Sequence, residues 1–312
     1  MRRRLPAFLI SLFLFLLALV VRPAAAQHVT RLKSSDGTVQ GPVPAGTRPQ
    51  GIAFDGTSFW VASWSSNSVV KLKASNGASL GTFAVGKGPM RTVFDGASVW
   101  VTNFNSNTVT KLKASDGSAQ GTFPVGTNPI GIAFDGTSIW VANASSNDIT
   151  KLKASDGSKL GTFQAGAQPI DVASEGGHVW VTNRGANSVT KLRASDGTVV
   201  GTFSVGTAPR GILVAGEAVW AANSGSNNVT KLKASDGTIL GTFPVGKAPV
   251  SLVSAGSSVW VTNSGSDDVT KLNASDGTVL GTFKVEIQPT GVASDGSSIW
   301  VSCAGPEAES KL

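Results

Sequence analysis

Residues 129–166 read PIGIAFDGTSIWVANASSNDITKLKASDGSKLGTFQAG, and the phrase returns every forty residues along the chain. Seven tryptophans keep the beat: Trp60, Trp100, Trp140, Trp180, Trp220, Trp260 and Trp300. Each follows an aliphatic or Phe residue and precedes Val or Ala. A fixed period of this size marks a stacked or radial repeat. Within the unit, Pro129 to Phe134 reads as a short apolar strand entered through proline, where a missing N–H is tolerated. Asp135-Gly136 predicts a two-residue hairpin turn with both central residues at positive φ. The second strand, Ser138 to Asn143, is apolar on both faces. A loop at 144–147 leads to a third strand, Ile149 to Lys153. Asp156-Gly157 then turns the chain into a fourth, Leu160 to Ala165.

Four strands joined by short turns make an antiparallel meander. Its first two strands need cover on both faces, whereas the last two tolerate water. Copies must therefore lie against each other and close, since open ends would expose apolar faces and strand edges. The fold predicted is all-β: a seven-bladed β-propeller of four-stranded antiparallel blades. A linear solenoid would need capping units that this chain lacks. The termini support closure. The last copy has only two complete strands, Pro289 to Ser294 and Ser298 to Cys303. Residues 29–45 repeat the missing half, so N-terminal strands are expected to complete the last blade.

The expected domain organisation is a signal peptide over 1–26, a propeller over 27–303 and a loose tail over 304–312. Arg2-Arg3-Arg4, the apolar run Phe8 to Val21 and the small residues Ala24-Ala25-Ala26 have the order of a secretory signal. The run's fourteen residues fall short of the ~20 a spanning helix needs. Ser310-Lys311-Leu312 looks like a peroxisomal address but is in phase with the repeat, and is read as its unfinished start. The whole chain carries +7. Without the leader's four arginines, 22 basic against 19 acidic residues leave +3, too little for the concentrated basic surface of a nucleic-acid binder. One cysteine, Cys303, allows no intrachain disulfide, so the core alone must hold the fold. The location expected is periplasmic or secreted.

The phrases IWVANASSNDITKL, SDGSKLGTF and PVGTNPIGIAFDG resemble the YVTN repeat, a seven-bladed propeller family of bacterial exported proteins. Its relatives include YncE-like proteins and, more distantly, virginiamycin B lyase. The resemblance covers residues 28–303. It implies the propeller strongly and function weakly, because propellers host many activities. A lyase-like function would imply a histidine and Mg²⁺-binding glutamates on the site face. Here the positions after the tryptophans are Asn, Ser, Thr or Ala, and Glu286, Glu307 and Glu309 are the glutamates near that end.

The first and third turns of each unit are nearly uniform, ten of fourteen being Asp-Gly; they are read as turn chemistry without a bound metal. The opposite end varies from copy to copy, as a binding surface does. There Arg48, Trp64, Lys87, Met90, Arg91 and Phe104 from the first two blades form a candidate ligand-binding sector. Aromatic rings with arginine forks suit an anionic or glycan-like ligand, or a peptide. Arg184 and Arg210 lie further round, and Asp148, Asp171, Asp267 and Asp268 supply negative charge across the ring. The Asn103, Asn143, Asn183, Asn223 and Asn263 series reads as Asx turns, the tryptophans as inter-blade packing, and the Lys-Leu-Lys series as a solvated belt.

No catalytic constellation is visible. His28 lies at the N-terminal edge, His178 in a turn, and Cys303 has no evident base. The reading is an exported, monomeric, non-catalytic binding module for a small molecule, glycan or peptide, without cofactor, membrane or nucleic-acid partner. A Mg²⁺-dependent lyase-like enzyme and a structural cell-surface or assembly protein are the alternatives.

Overall fold

The computed structural model describes residues 28–305; the expected leader over 1–26 and the tail from 306 onward lie outside them. Seven four-stranded antiparallel sheets surround an axis. Blades 1 to 6 each run in chain order, over 49–84, 89–124, 129–164, 169–204, 209–244 and 249–284. Blade 7 joins Pro289–Ser294 and Ser298–Cys303 to His28–Lys33 and Val39–Pro44. Across that seam Thr30 pairs with Val301 and Leu32 with Ile299, so the expected closure by the N-terminal strands is found. Among the described residues no helix is long and apolar enough to cross a membrane.

Burial is greatest in the middle of each blade and extends further outward than the sequence suggests. In blade 3 every residue of the second strand is buried, and so are Ile149 to Leu152 of the third. Only the outer strand, Lys159–Gln164, is wet along its length. The reason lies in the lysines. Lys151 is not part of a solvated belt: its Nζ sits 4.9 Å from the centre of the Trp140 ring and donates to Ala194 O of blade 4 at 2.6 Å. The same latch recurs with Lys71, Lys111, Lys191 and Lys231. Lys271 closes the circle onto Ser34 O and Ser35 O at 3.0 and 2.9 Å. Only the second lysine of each pair, such as Lys153, reaches water.

The tryptophans are the inter-blade packing predicted. Trp140 clusters with Ala142 and Ile149 of its own blade and with Val172, Val179, Val181 and Leu192 of the next. A phenylalanine of the outer strand tilts against it, Phe163 lying 5.5 Å away between centroids. Blade 7 has Val43 at the position equivalent to Phe163. There Phe59 of blade 1, where other blades carry Val or Ile, stacks on Trp300 at 4.5 Å. The lost ring and the gained ring compensate at the seam, which keeps the interior close-packed.

The Asp-Gly turns also differ from expectation. In blade 3 Phe134 pairs with Ile139, so the loop has four residues, and Gly136 takes positive φ while Asp135 does not. The Asp135 carboxylate accepts the N–H groups of Thr137 and Ser138 and the indole N–H of Trp140. Two-residue turns occur where the aspartate is missing, at Gly176-Gly177, Gly216-Glu217 and Gly256-Ser257. Nor do the strand-end asparagines make Asx turns. Asn143 is fully buried and donates through Nδ2 to Asp148 and Thr150 of the third strand. A second series, in left-handed conformation, instead ties its loop to the start of the next blade. Asn67, Asn107, Asn147, Asn187, Asn227 and Asp267 accept the N–H of the residue 21 positions on.

Candidate functional site

The innermost strands meet around the axis, and two of their positions shape the channel. At the first stand Gln50, Met90, Ile130, Ile170, Arg210, Val250 and Thr290; at the second, Gly51, Arg91, Gly131, Asp171, Gly211, Ser251 and Gly291. The second series alternates. A Cβ on Gly51 would lie 2.6 Å from the Arg91 backbone, and one on Gly131 would lie 2.5 Å from that of Asp171. Odd blades thus give up a side chain so that the even blade beside them can carry one.

The second strands follow the same two-blade rhythm. Thr102, Thr182 and Thr262 stand in the even blades, and Ala62, Ala142 and Ala222 in the odd ones. Thr102 Oγ1 accepts Arg91 N–H and donates to Ile130 O of the next blade, at 3.0 and 2.8 Å. Thr182 does the same for Asp171 N–H and Arg210 O. These hydroxyls fix the backbone on which the charged residues are mounted. Ser302 plays the part in blade 7, accepting Gly291 N–H and donating to Gln50 O.

At the end where the repeats vary, the channel widens into a cavity of about 330 Å³ lined by Arg48, Arg91 and Arg210, with Gln50, Gln288 and Thr290 among its polar groups and Met90, Ile130 and Ile170 among its apolar ones. Among the described residues, none that lines it is acidic. Arg91 reaches to the far side of the ring, where its Nη1 donates to Thr290 O at 3.2 Å and approaches Ser251 Oγ at 3.5 Å. Its guanidinium therefore crosses the axis and floors the cavity.

Asp171 lies beside this group. Burial pushes its carboxyl above the usual range, against the pull of Arg91 and of the Val172 and Ile212 N–H groups. Its side chain keeps some exposure to the channel. Burial, together with the like charges of Arg91 and Arg184, draws Arg210 down to about 10. The like charges of Arg91 and Arg184 add to the effect of burial, and the Asp171 carboxylate opposes both.

The sequence candidates thus divide. Arg48, Met90, Arg91 and Arg210 line one cavity, and Asp171 supports it electrostatically. Trp64 and Phe104 pack on each other at 5.5 Å between centroids and do not line it. Lys87 and Arg184 are exposed away from the cavity wall. Of the acids expected across the ring, Asp148 and Asp268 are bound to Asn143 and Asn263, and Asp267 caps Gln288 N–H. Gln50, Ile130, Ile170 and Thr290 also line the cavity and are not among the sequence candidates. Their shared forty-residue phase with Met90 and Arg210 was the available signal.

The model for the seven-bladed β-propeller lactonases matches residues 61–243, more than half of the chain. The chain belongs to the lactonase seven-bladed β-propeller family. Among curated proteins no sequence matches it. Solved structures similar to this family member include a streptogramin B lyase, at 21% identity and a TM-score of 0.73, covering 89% of this chain and 95% of the other. Hydrazine synthase of Kuenenia stuttgartiensis is similar at 19% identity and a TM-score of 0.71, over 80% and 90% of the two chains. A catalytically inactive virginiamycin B lyase from Staphylococcus aureus, with quinupristin, is similar at 18% and 0.71, over 88% and 98%. At these identities the likeness is one of fold.

The donor set does not suit a divalent cation. The guanidinium groups of Arg48, Arg91 and Arg210 would repel it, and none of the described lining side chains carries a carboxylate. Among the described residues no three His, Cys, Asp or Glu side chains gather in metal-binding geometry. The buried Cys303 thiol is pushed up to about 12 by burial and is no nucleophile.

Proposed function

We propose that the protein is an exported propeller of the YVTN-repeat kind that binds a small anion, bearing a carboxylate, phosphate or sulfate group, in the axial cavity. The observation carrying this reading is the convergence of Arg48, Arg91 and Arg210, from three blades, on one cavity whose described lining residues include no acid. Each charge-assisted bond contributes about 1.5–3 kcal/mol, and planar guanidinium forks match the oxyanion groups named. Gln50, Gln288 and Thr290 supply polar contacts for the rest of the ligand, and Met90, Ile130 and Ile170 an apolar wall. Export is supported by the basic head, apolar run and small-residue tail of residues 1–26.

The family's name suggests lactone opening, whose product is a hydroxy acid that these arginines would suit. The described residues of the cavity wall are arginine, amide, hydroxyl and apolar side chains, and none of these is a general base for attacking water. Binding is therefore the better-supported reading.

Sulfate is the test, because its charge is constant across the pH range of interest. Saturable binding is expected by calorimetry, weakened about tenfold or more in Arg210→Ala, as the loss of ~1.4 kcal/mol or more requires. Asp171 sets the sign with pH. Its raised pKa means that acidification neutralises it first, which removes a repulsive charge while the arginines keep theirs. Sulfate affinity should rise as the pH falls below 7, and Asp171→Asn should be tighter than the parent at pH 7 and lack that rise. Equal affinity for parent and Arg210→Ala would remove the assignment.

A further inference from the structure

The seven-fold repetition supplies its own control at the opposite end of the molecule. In blades 1, 2, 3 and 7 the indole N–H of the buried tryptophan donates to the turn aspartate: Trp60 to Asp55 at 2.8 Å, Trp100 to Asp95 at 2.7 Å, Trp140 to Asp135 at 2.6 Å and Trp300 to Asp295 at 3.3 Å. In blade 1 the same carboxylate lies 3.9 Å from the Lys71 ammonium stacked over the ring. One carboxylate thus answers both an indole donor and a buried cation.

Blades 4, 5 and 6 have Glu175, Ala215 and Ala255 at that position. The lysines remain over the rings, Lys191 at 5.2 Å, Lys231 at 4.9 Å and Lys271 at 5.1 Å. The indole of Trp260 is buried without an acceptor, and no described residue accepts from Trp180. In blade 6 the gap is sealed. In blade 4 it is open, onto a cavity of about 790 Å³ between blades 4 and 5. Trp180, Val214 and Ala234 form its apolar wall, and Lys191 and Lys233 its cationic one. Glu175 and Glu217 stand at it too, but both are exposed and neither forms an ion pair. Glu175 is held by its pairing with His178 across the two-residue turn. Burial draws the Lys191 ammonium below its ordinary range, with the charge of Asp236 opposing.

We propose that this cavity is a second binding site, for a small organic carboxylate with an apolar body, whose carboxylate takes on Trp180 and Lys191 the place that Asp135 takes on Trp140. The body of the ligand packs on Val214 and the edge of Trp180. The site is independent of the axial cavity and of its anion.

The test uses sodium benzoate against sodium chloride at equal ionic strength, read by the ¹H–¹⁵N indole signals of the folded protein. Benzoate should shift the Trp180 indole N–H saturably and leave those of Trp60, Trp100, Trp140 and Trp300 in place. Arg210→Ala should respond like the parent, which separates this site from the channel. E175D, G177T and H178S together rebuild the blade 3 turn at unchanged length; this graft should move the Trp180 signal toward that of Trp140 and abolish the benzoate response. E175A should respond like the parent or more strongly. No saturable Trp180 shift in the parent overturns the proposal. So does a response that appears only in E175A, since Glu175 would then be the occupant.

Discussion

Lys151 shows how one residue can be buried with its charge and still stabilise the fold. Its stem crosses the Trp140 ring, and its ammonium reaches Ala194 O and Ser195 O of the neighbouring blade, at 2.6 and 3.4 Å. Removing the head group relieves a desolvation cost, which alone would favour substitution. It also leaves two inter-blade carbonyls without a donor, and that asymmetry decides the sign. Lys151→Met keeps most of the stem and should cost about 2 kcal/mol, a fall of roughly 4–8 °C in melting temperature for a domain of this size. Calorimetry of the two proteins checks it, and an unchanged melting temperature would mean that the latch carries no weight. Lys151 and Lys153 are two apart and share a face, so the sequence marks them alike. What separates them is that the next blade covers the middle of the strand and not its end, a fact of packing that periodicity does not contain. Asn143 was misread for the same reason: its partners Asp148 and Thr150 belong to the next strand, beyond the reach of local turn rules.

At the scale of the turn, the two families of Asp-Gly loops were legible as turns and illegible as different ones. First-turn aspartates hold a tryptophan. Burial alone would raise Asp135, yet the Trp140 indole and the Thr137 and Ser138 N–H groups outweigh it, and the group sits below the usual range. Third-turn aspartates hold only their own loop. The hydroxyls and N–H groups of Ser118 and Ser158 keep Asp116 and Asp156 down at about 2, and those of Thr198 and Thr238 do the same for Asp196 and Asp236. A depressed carboxyl stabilises the fold above its unfolded pKa, ~3.9, and that stability goes as pH falls toward the folded value. The melting temperature should therefore hold from pH 7 to about 4 and decline from there toward pH 2. Blade 1 contains the control, because Asn76 makes the same turn and accepts Ala78 N–H at 3.0 Å. Replacing Asp116, Asp156, Asp196 and Asp236 together by Asn should keep the turns and flatten the decline, as followed by circular dichroism during heating at each pH. A decline as steep as the parent's would assign acid sensitivity to other carboxylates.

For the molecule as a whole, the ring was readable because forty-residue periodicity and the split last copy are both global signals. The axial cavity was only half readable: its arginines sit at varying positions, but closure alone brings Arg91 across the axis to Thr290. Closure also bears on how the protein unfolds. In an open array the terminal units have one neighbour and fray first. Here each blade has two, and the latches run without a break from Lys71 to Lys271, with Arg31 over Trp300 at 5.1 Å supplying the seventh. Blade 7 is nonetheless held by pairing between chain ends, which could make it the weak point. Leu32 at this seam and Leu152 in blade 3 occupy equivalent positions, and both are fully buried. Cutting either to alanine removes the same atoms and should cost about 2–5 kcal/mol. If the circle is one cooperative unit, both variants melt in a single transition with similar midpoints, because opening any blade exposes two neighbours. A separate early transition confined to Leu32→Ala would instead show that the seam opens by itself. The continuity of the lysine latch across Ser34 and Ser35 argues for the single transition.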